Sequence, residues 1–63
     1  MPTFDVSFKA RYANGDEGRD TFKMDDQEDI GAGVAAAFSL FAGSELQEGR
    51  SNPVGLTVEA NQR

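Results

Sequence analysis

Apolar and polar side chains alternate strictly over residues 4–12, from Phe4 to Tyr12. A period of two residues predicts a half-buried strand. Residues 19–24 alternate in the same way, with Phe22 and Met24 on the apolar side, and turn-forming residues separate the two segments. Together they predict a β-hairpin.

The length of the hairpin loop is constrained by which residue numbers, even or odd, carry the apolar side chains. Because the apolar residues have even numbers in both strands, the numbers of facing residues must sum to an even value. A two-residue turn at Asn14 and Gly15 would place Lys23 in the core, so a three-residue loop (14–16) or a five-residue loop (14–18) is expected. We favour the five-residue loop because it uses both Gly15 and Gly18.

A helix is predicted after the hairpin. Asp25 or Asp26 can serve as its N-cap, and the other carboxylates nearby suit the positive end of the helix dipole. Gly43 is the expected C-terminal glycine. An apolar stripe with helical spacing is formed by Ile30, Val34, Phe38 and Phe41. Residues 54–60 alternate again and predict a third strand.

The element order ββαβ predicts one small α+β domain over residues 1–63. It is expected to be a two-layer sandwich, a three-stranded antiparallel sheet of order 2-1-3 with one helix on one face. Both outer strands would leave an edge that another chain could pair with. The predicted core consists of Phe4, Val6, Phe8, Tyr12, Phe22, Met24, Ile30, Val34, Phe38, Phe41, Leu56 and Val58.

The composition excludes several kinds of chemistry. The chain has 63 residues with no cysteine and no histidine, so disulfides, the common zinc sites and the Ser-His-Asp and Cys-His nucleophile systems are ruled out. A domain of this size buries only about 60% of its unfolded surface, and oligomerisation is the one remaining means of reinforcement. We therefore expect a non-enzymatic protein without cofactor or metal.

The charge balance bears on partners. Six basic residues against eleven acidic ones give a net charge of −5, which disfavours general nucleic-acid binding. No apolar segment approaches the ~20 residues of a membrane span, and the N-terminal residues lack the pattern of a secretory signal. A small cytoplasmic protein is the expectation, of cellular, phage or mobile-element origin.

The helix carries no charge between Ile30 and Ser44. Its small residues would allow another backbone to approach closely, and two glycines inside a helix, each costing about 1 kcal/mol relative to alanine, need a reason. The first hypothesis is therefore a protein-interaction module that forms a homodimer through this face. A solvated alanine-rich helix is the alternative. The predicted interface consists of Gly31, Ala32, Ala35, Ala36 and Leu40.

Two charged clusters support alternative functions. Basic side chains on the outer sheet face could bind an anion, either a phosphate backbone, an acidic peptide or the acidic end of another copy; they are Lys9, Arg11, Arg19 and Lys23. Carboxylates before the helix could mimic nucleic acid, as in an inhibitor of a host protein, although helix capping and dipole compensation explain them better; they are Asp25, Asp26, Glu28 and Asp29. An ordinary solvated surface is the simpler explanation of the basic cluster.

Overall fold

The computed structural model describes all 63 residues. Its elements are β1 (Phe4–Arg11), β2 (Glu17–Met24), α1 (Ile30–Gln47) and β3 (Gly55–Gln62). The strands form one sheet of order β2-β1-β3, in which both neighbouring pairs are antiparallel. The predicted α+β fold class and strand order are confirmed.

The hairpin obeys the predicted parity but has a different loop. Facing residue numbers in β1 and β2 sum to 28, as where Arg11 faces Glu17. The pairing continues beyond the strands, since the Tyr12 N–H donates to the Asp16 carbonyl at 3.0 Å. Both expected loops, 14–16 and 14–18, are therefore wrong. Gly15 has a positive φ of 91° and makes the turn, whereas Gly18 lies inside β2.

The helix begins and ends later than its sequence signals indicate. Its N-cap is Asp29, whose Oδ1 accepts the Ala32 N–H at 2.8 Å, and so the choice of Asp25 or Asp26 is wrong. At the other end, the helix continues through Gly43 to Gln47, so the prediction that Gly43 ends it is also wrong.

A Schellman motif ends the helix at Gly49. Gly49 has a φ of 79°, its N–H donates to the Leu46 carbonyl at 3.0 Å, and the Arg50 N–H donates to the Glu45 carbonyl at 2.8 Å. The extra turn after Gly43 places the side chain of Glu45 over the sheet, where it is buried.

The buried stripe of α1 differs from the predicted one. It recurs every four residues and includes small side chains: Gly33, Ala37, Phe41 and Glu45. Small residues let the helix approach β1 closely, since a Cβ at Gly33 would lie 3.3 Å from Phe4 Cδ2. The buried hydrophobic core is Phe4, Val6, Phe8, Ala10, Ala37 and Phe41.

Four residues predicted for the core are substantially exposed. They are Ile30, Phe38, Leu56 and Val58, with exposed fractions of 48%, 43%, 44% and 41%. Ile30 is the first residue of the helix. For Phe38, Leu56 and Val58 the physical reason is the position of α1, which packs mainly on β1 and β2 and least on β3. The inner face of β3, the face on the helix side, is therefore left partly uncovered. The other predicted members, Tyr12, Phe22, Met24 and Val34, pack against the core while remaining partly exposed.

Candidate functional site

An open apolar cleft of about 220 Å³ lies between the C-terminal half of α1 and the start of β3. Phe38, Ala42 and Leu46, which recur every four residues, form the helix side of the cleft, and Leu56 lies across from them on β3. The cleft exists because the helix packs mainly on β1 and β2 and covers the third strand least.

The cleft belongs to a larger apolar strip, which we define as Phe38, Leu46, Leu56 and Val58. Leu46 is 63% exposed, more than the other three. Val58 faces Phe8 in the sheet register, and the Phe38 ring lies 6.0 Å from the Phe8 ring, so the strip is continuous with the core. Exposed apolar surface of this kind is typical of an interaction site.

A buried ion pair closes the polar end of the cleft. Arg50 donates to both carboxylate oxygens of Glu45, from Nε at 3.0 Å and from Nη2 at 3.1 Å, and Tyr12 Oη donates to Oε1 at 2.9 Å. Glu45 is only 6% exposed. The cluster ties the end of α1 to the hairpin and to the segment that leads into β3.

These contacts change the pKa values of all three groups. The hydrogen bond from Arg50, supported by the one from Tyr12, lowers the pKa of Glu45 below its usual 4.5 although burial opposes this. The same pair raises the pKa of Arg50. Desolvation, and then the hydrogen bond to Glu45, raises the pKa of Tyr12. Glu45 and Arg50 therefore remain oppositely charged over the physiological pH range. We call the cluster of Tyr12, Glu45 and Arg50 the clamp, because it holds the end of α1 against the hairpin.

Sequence reasoning missed this clamp and the reason for Gly18. A Cβ at Gly18 would overlap the Glu45 carboxylate, so glycine provides space there rather than a positive φ. The spacing of Glu45 and Arg50 on either side of a glycine is a weak signal by itself. Only the fold brings Tyr12 and Gly18 to the same carboxylate.

The predicted helix interface divides between two flanks of α1. Ala32, Ala36 and Leu40 recur every four residues on the flank away from β3, whereas Gly31 and Ala35 lie nearer the flank of the cleft. All five are exposed or partly exposed, and Leu40 is 53% exposed. Their role as an interface remains a prediction.

Neighbouring small residues of α1 have a different explanation from the one expected. Gly33 and Ala37 are buried against the protein's own sheet. Packing within the chain therefore accounts for part of the small-residue pattern that suggested a partner.

The basic residues of the outer sheet face are mostly paired with carboxylates. Lys9 faces Arg19 in the sheet register, and Glu17 pairs with both. Glu17 Oε2 lies 3.9 Å from Lys9 Nζ, and Glu17 Oε1 lies 3.3 Å from Arg19 Nη2. Lys23 lies 3.9 Å from Asp25.

Arg11 differs from the other three members of this cluster. It forms no ion pair, and its guanidinium lies over Gly55 on β3. Anion binding by the four remains a prediction, and Arg11 is the member without an ion pair, although Glu17 faces it in the strand register.

The acidic residues before the helix have structural contacts of their own. Asp29 caps the helix, and Asp25 accepts a hydrogen bond from Thr3 Oγ1 at 3.1 Å. Asp26 adopts a positive φ of 57°, and Glu28 is exposed. β2 separates this cluster from Asp16 in the hairpin loop, so the carboxylates form no single continuous surface. Nucleic-acid mimicry remains a prediction.

Comparison with known proteins gives no functional assignment. No family model matches this chain, and we found no curated protein and no solved structure with significant similarity to it. No group of three or more carboxylates is arranged to hold a metal ion. No helix has the length and apolar character needed to cross a membrane. The surfaces described above are therefore the basis for a functional proposal.

Proposed function

We propose that this chain is a non-enzymatic interaction module that self-associates through the apolar strip. The observation that carries the proposal is the partial exposure of Leu56 and Val58 on the inner face of a sheet whose helix covers the other two strands more fully. A second copy would cover the part of the inner sheet face, at Leu56 and Val58, that the helix of one copy leaves exposed.

The apolar strip supplies part of the area that a dimer needs. With full side-chain areas of about 150–200 Å², the strip leaves about 350 Å² exposed per copy. The total surface is 4121 Å². A standard interface buries about 800 Å² per partner, so residues and backbone around the strip must supply the rest of the contact. Burial from two copies contributes at most about 17 kcal/mol, against an association cost of about 4–15 kcal/mol.

The charge distribution permits two copies to meet at the strip. The molecule carries a net charge of −5, which makes copies repel each other at most orientations. The strip has no charged member, and Glu59 is the one charged residue of β3. The carboxylate nearest the cleft, Glu45, is already neutralised by Arg50.

The test measures mass in solution by sedimentation equilibrium for two matched helix variants. Leu46→Glu introduces a charge into the strip, and Leu40→Glu introduces the same charge on the other flank. Both side chains are more than half exposed, so both variants should fold. We expect a parent mass of twice 6.8 kDa. Leu46→Glu should raise the dissociation constant about tenfold or more, since each copy loses apolar burial and gains a charge.

The outcomes separate the two helix faces. If Leu40→Glu and Ala36→Glu dissociate the assembly while Leu46→Glu does not, the small-residue flank is the interface and the strip is not. If the parent has a mass of 6.8 kDa at high micromolar concentration, self-association is wrong altogether.

A further inference from the structure

We propose that the second copy binds along the free edge of β3, antiparallel, with Thr57 on the two-fold axis. The result would be a continuous six-stranded sheet with both helices on one face. This inference rests on the proposed self-association and specifies where and in which register it occurs.

The free edge of β3 consists of the backbone groups of its even-numbered residues. The Arg63 N–H donates to the Thr3 carbonyl at 2.9 Å, so odd-numbered residues of the third strand bond to β1. In an antiparallel ladder the bonding direction alternates along the strand. The N–H and C=O groups of Leu56, Val58 and Ala60 therefore point away from β1, toward a further strand.

The edge of β2 is protected, whereas that of β3 is not. By the same alternation, the backbone N–H and C=O groups of the odd-numbered residues of β2 point away from β1, toward the free edge. One of these groups, the Thr21 N–H, is already bonded, since the Asp20 carboxylate accepts it at 2.9 Å. Asp20 also places a charge opposite Phe8, on the inner face. Charged residues that face inward are a common defence of an edge strand. In β3 the single charge, Glu59, is on the outer face.

The inner faces of the two copies must be continuous for the apolar strip to be buried. Directly opposed residues of an antiparallel pair lie on the same face, so the numbers of facing residues must again sum to an even value. Leu56 and Val58 then lie beside their counterparts, between the two helices.

Charge selects one register among these. The guanidinium of Arg11 lies over Gly55. It forms no ion pair, although Glu17 faces Arg11 in the sheet register and pairs instead with Lys9 and Arg19. With Thr57 on the axis, Gly55 faces Glu59 of the second copy, so each Arg11 meets a carboxylate across the seam. With Val58 on the axis, Glu59 faces Thr57 of the second copy, so Arg11 gains no carboxylate. With Glu59 on the axis, the two Glu59 carboxylates face each other, which is destabilising.

Disulfide trapping tests the register, because the chain contains no cysteine. The variant Thr57→Cys changes an outer-face position that is directly opposed to itself, at a Cα separation of about 4.5 Å, within the ~4.4–6.8 Å of a disulfide. We expect it to form a covalent dimer under mild oxidation. The matched variants Val58→Cys and Glu59→Cys should not. In this register their counterparts are displaced along the strand by about 7 Å and about 13 Å respectively, in addition to the separation between the strands.

A charge exchange tests the Arg11–Glu59 pair separately. Arg11→Glu and Glu59→Arg should each weaken the dimer about tenfold, since every dimer loses two ion pairs and gains like charges. The double variant Arg11→Glu/Glu59→Arg should recover the parent dissociation constant. A double variant as weak as either single variant would overturn the pairing.

The results distinguish this inference from the proposed function. A dimer in which Val58→Cys or Glu59→Cys crosslinks instead of Thr57→Cys overturns the register. A dimer with no crosslink at any of the three positions overturns the register with Thr57 on the axis and leaves self-association in place. A monomeric parent overturns both.

Discussion

Substitution of Gly43 by alanine should stabilise the protein. Gly43 lies inside α1 and is exposed, and a Cβ added there would meet no atom within 4 Å. Glycine in a helix interior costs about 0.8–1.0 kcal/mol relative to alanine, because its backbone loses more freedom on folding. We therefore expect Gly43→Ala to raise the free energy of unfolding by about 0.9 kcal/mol.

Whether Gly43→Ala raises or lowers the free energy of unfolding tests where α1 ends. If the helix ended at Gly43 in the left-handed conformation, alanine there would be strained and the protein would lose about 1 kcal/mol. The positive φ belongs to Gly49 instead, so Gly49→Ala should be destabilising by this amount. Gly33→Ala is a second control. It has the same propensity gain, but its Cβ would lie 3.3 Å from the buried ring of Phe4, so its gain should be smaller.

Urea and thermal unfolding measure all three variants. For a domain of this size, 1 kcal/mol corresponds to about 4–8 °C in Tm. The measurements need one fixed protein concentration, since self-association makes Tm depend on concentration. A fall in stability for Gly43→Ala, or a rise for Gly49→Ala, would refute the assigned helix end.

Two further predictions concern acidic residues. Because the pKa of Glu45 is lowered, its contribution to stability is present above about pH 4.5 and is lost as the pH falls through the lowered folded value. Glu45→Gln should therefore be less stable than the parent at pH 7, and it should lose less stability than the parent when the pH falls below 4.5. If the urea midpoints of the two proteins change in parallel from pH 7 to pH 2, the role assigned to the Glu45 carboxylate is contradicted. Asp29→Ala should lose about 1 kcal/mol with the helix cap, while Glu28→Ala should stay within ~0.5 kcal/mol. Equal losses for these two variants, measured by urea unfolding, would show that Asp29 is not the cap.

Local patterns were sufficient to predict the sheet. Alternation over residues 4–12, 19–24 and 54–60 predicts three strands, and the parity of Phe8 and Phe22 restricts the hairpin register. These predictions succeed because a strand's side chains alternate between two faces whatever packs on them. The free edges also follow from strand order alone.

The face that α1 turns to the sheet was decided by tertiary packing. The stripe from Ile30 to Phe41 and the stripe from Gly33 to Phe41 both have helical spacing, and hydrophobicity favours the first. The second packs closer, because Gly33 and Ala37 allow the helix to approach β1. Gly33 and Ala37 belong to the small-residue pattern that suggested a partner, but they are buried against the protein's own sheet.

The helix end and the candidate site also depend on contacts distant in sequence. Gly43 has the sequence signature of a helix end, but the next turn persists with Glu45 buried against Gly18, Tyr12 and Arg50. The apolar strip exists because α1 packs more on β1 and β2 than on β3. Periodicity determines which residues of one element share a face. Only the relative position of two elements determines which of those faces remains exposed.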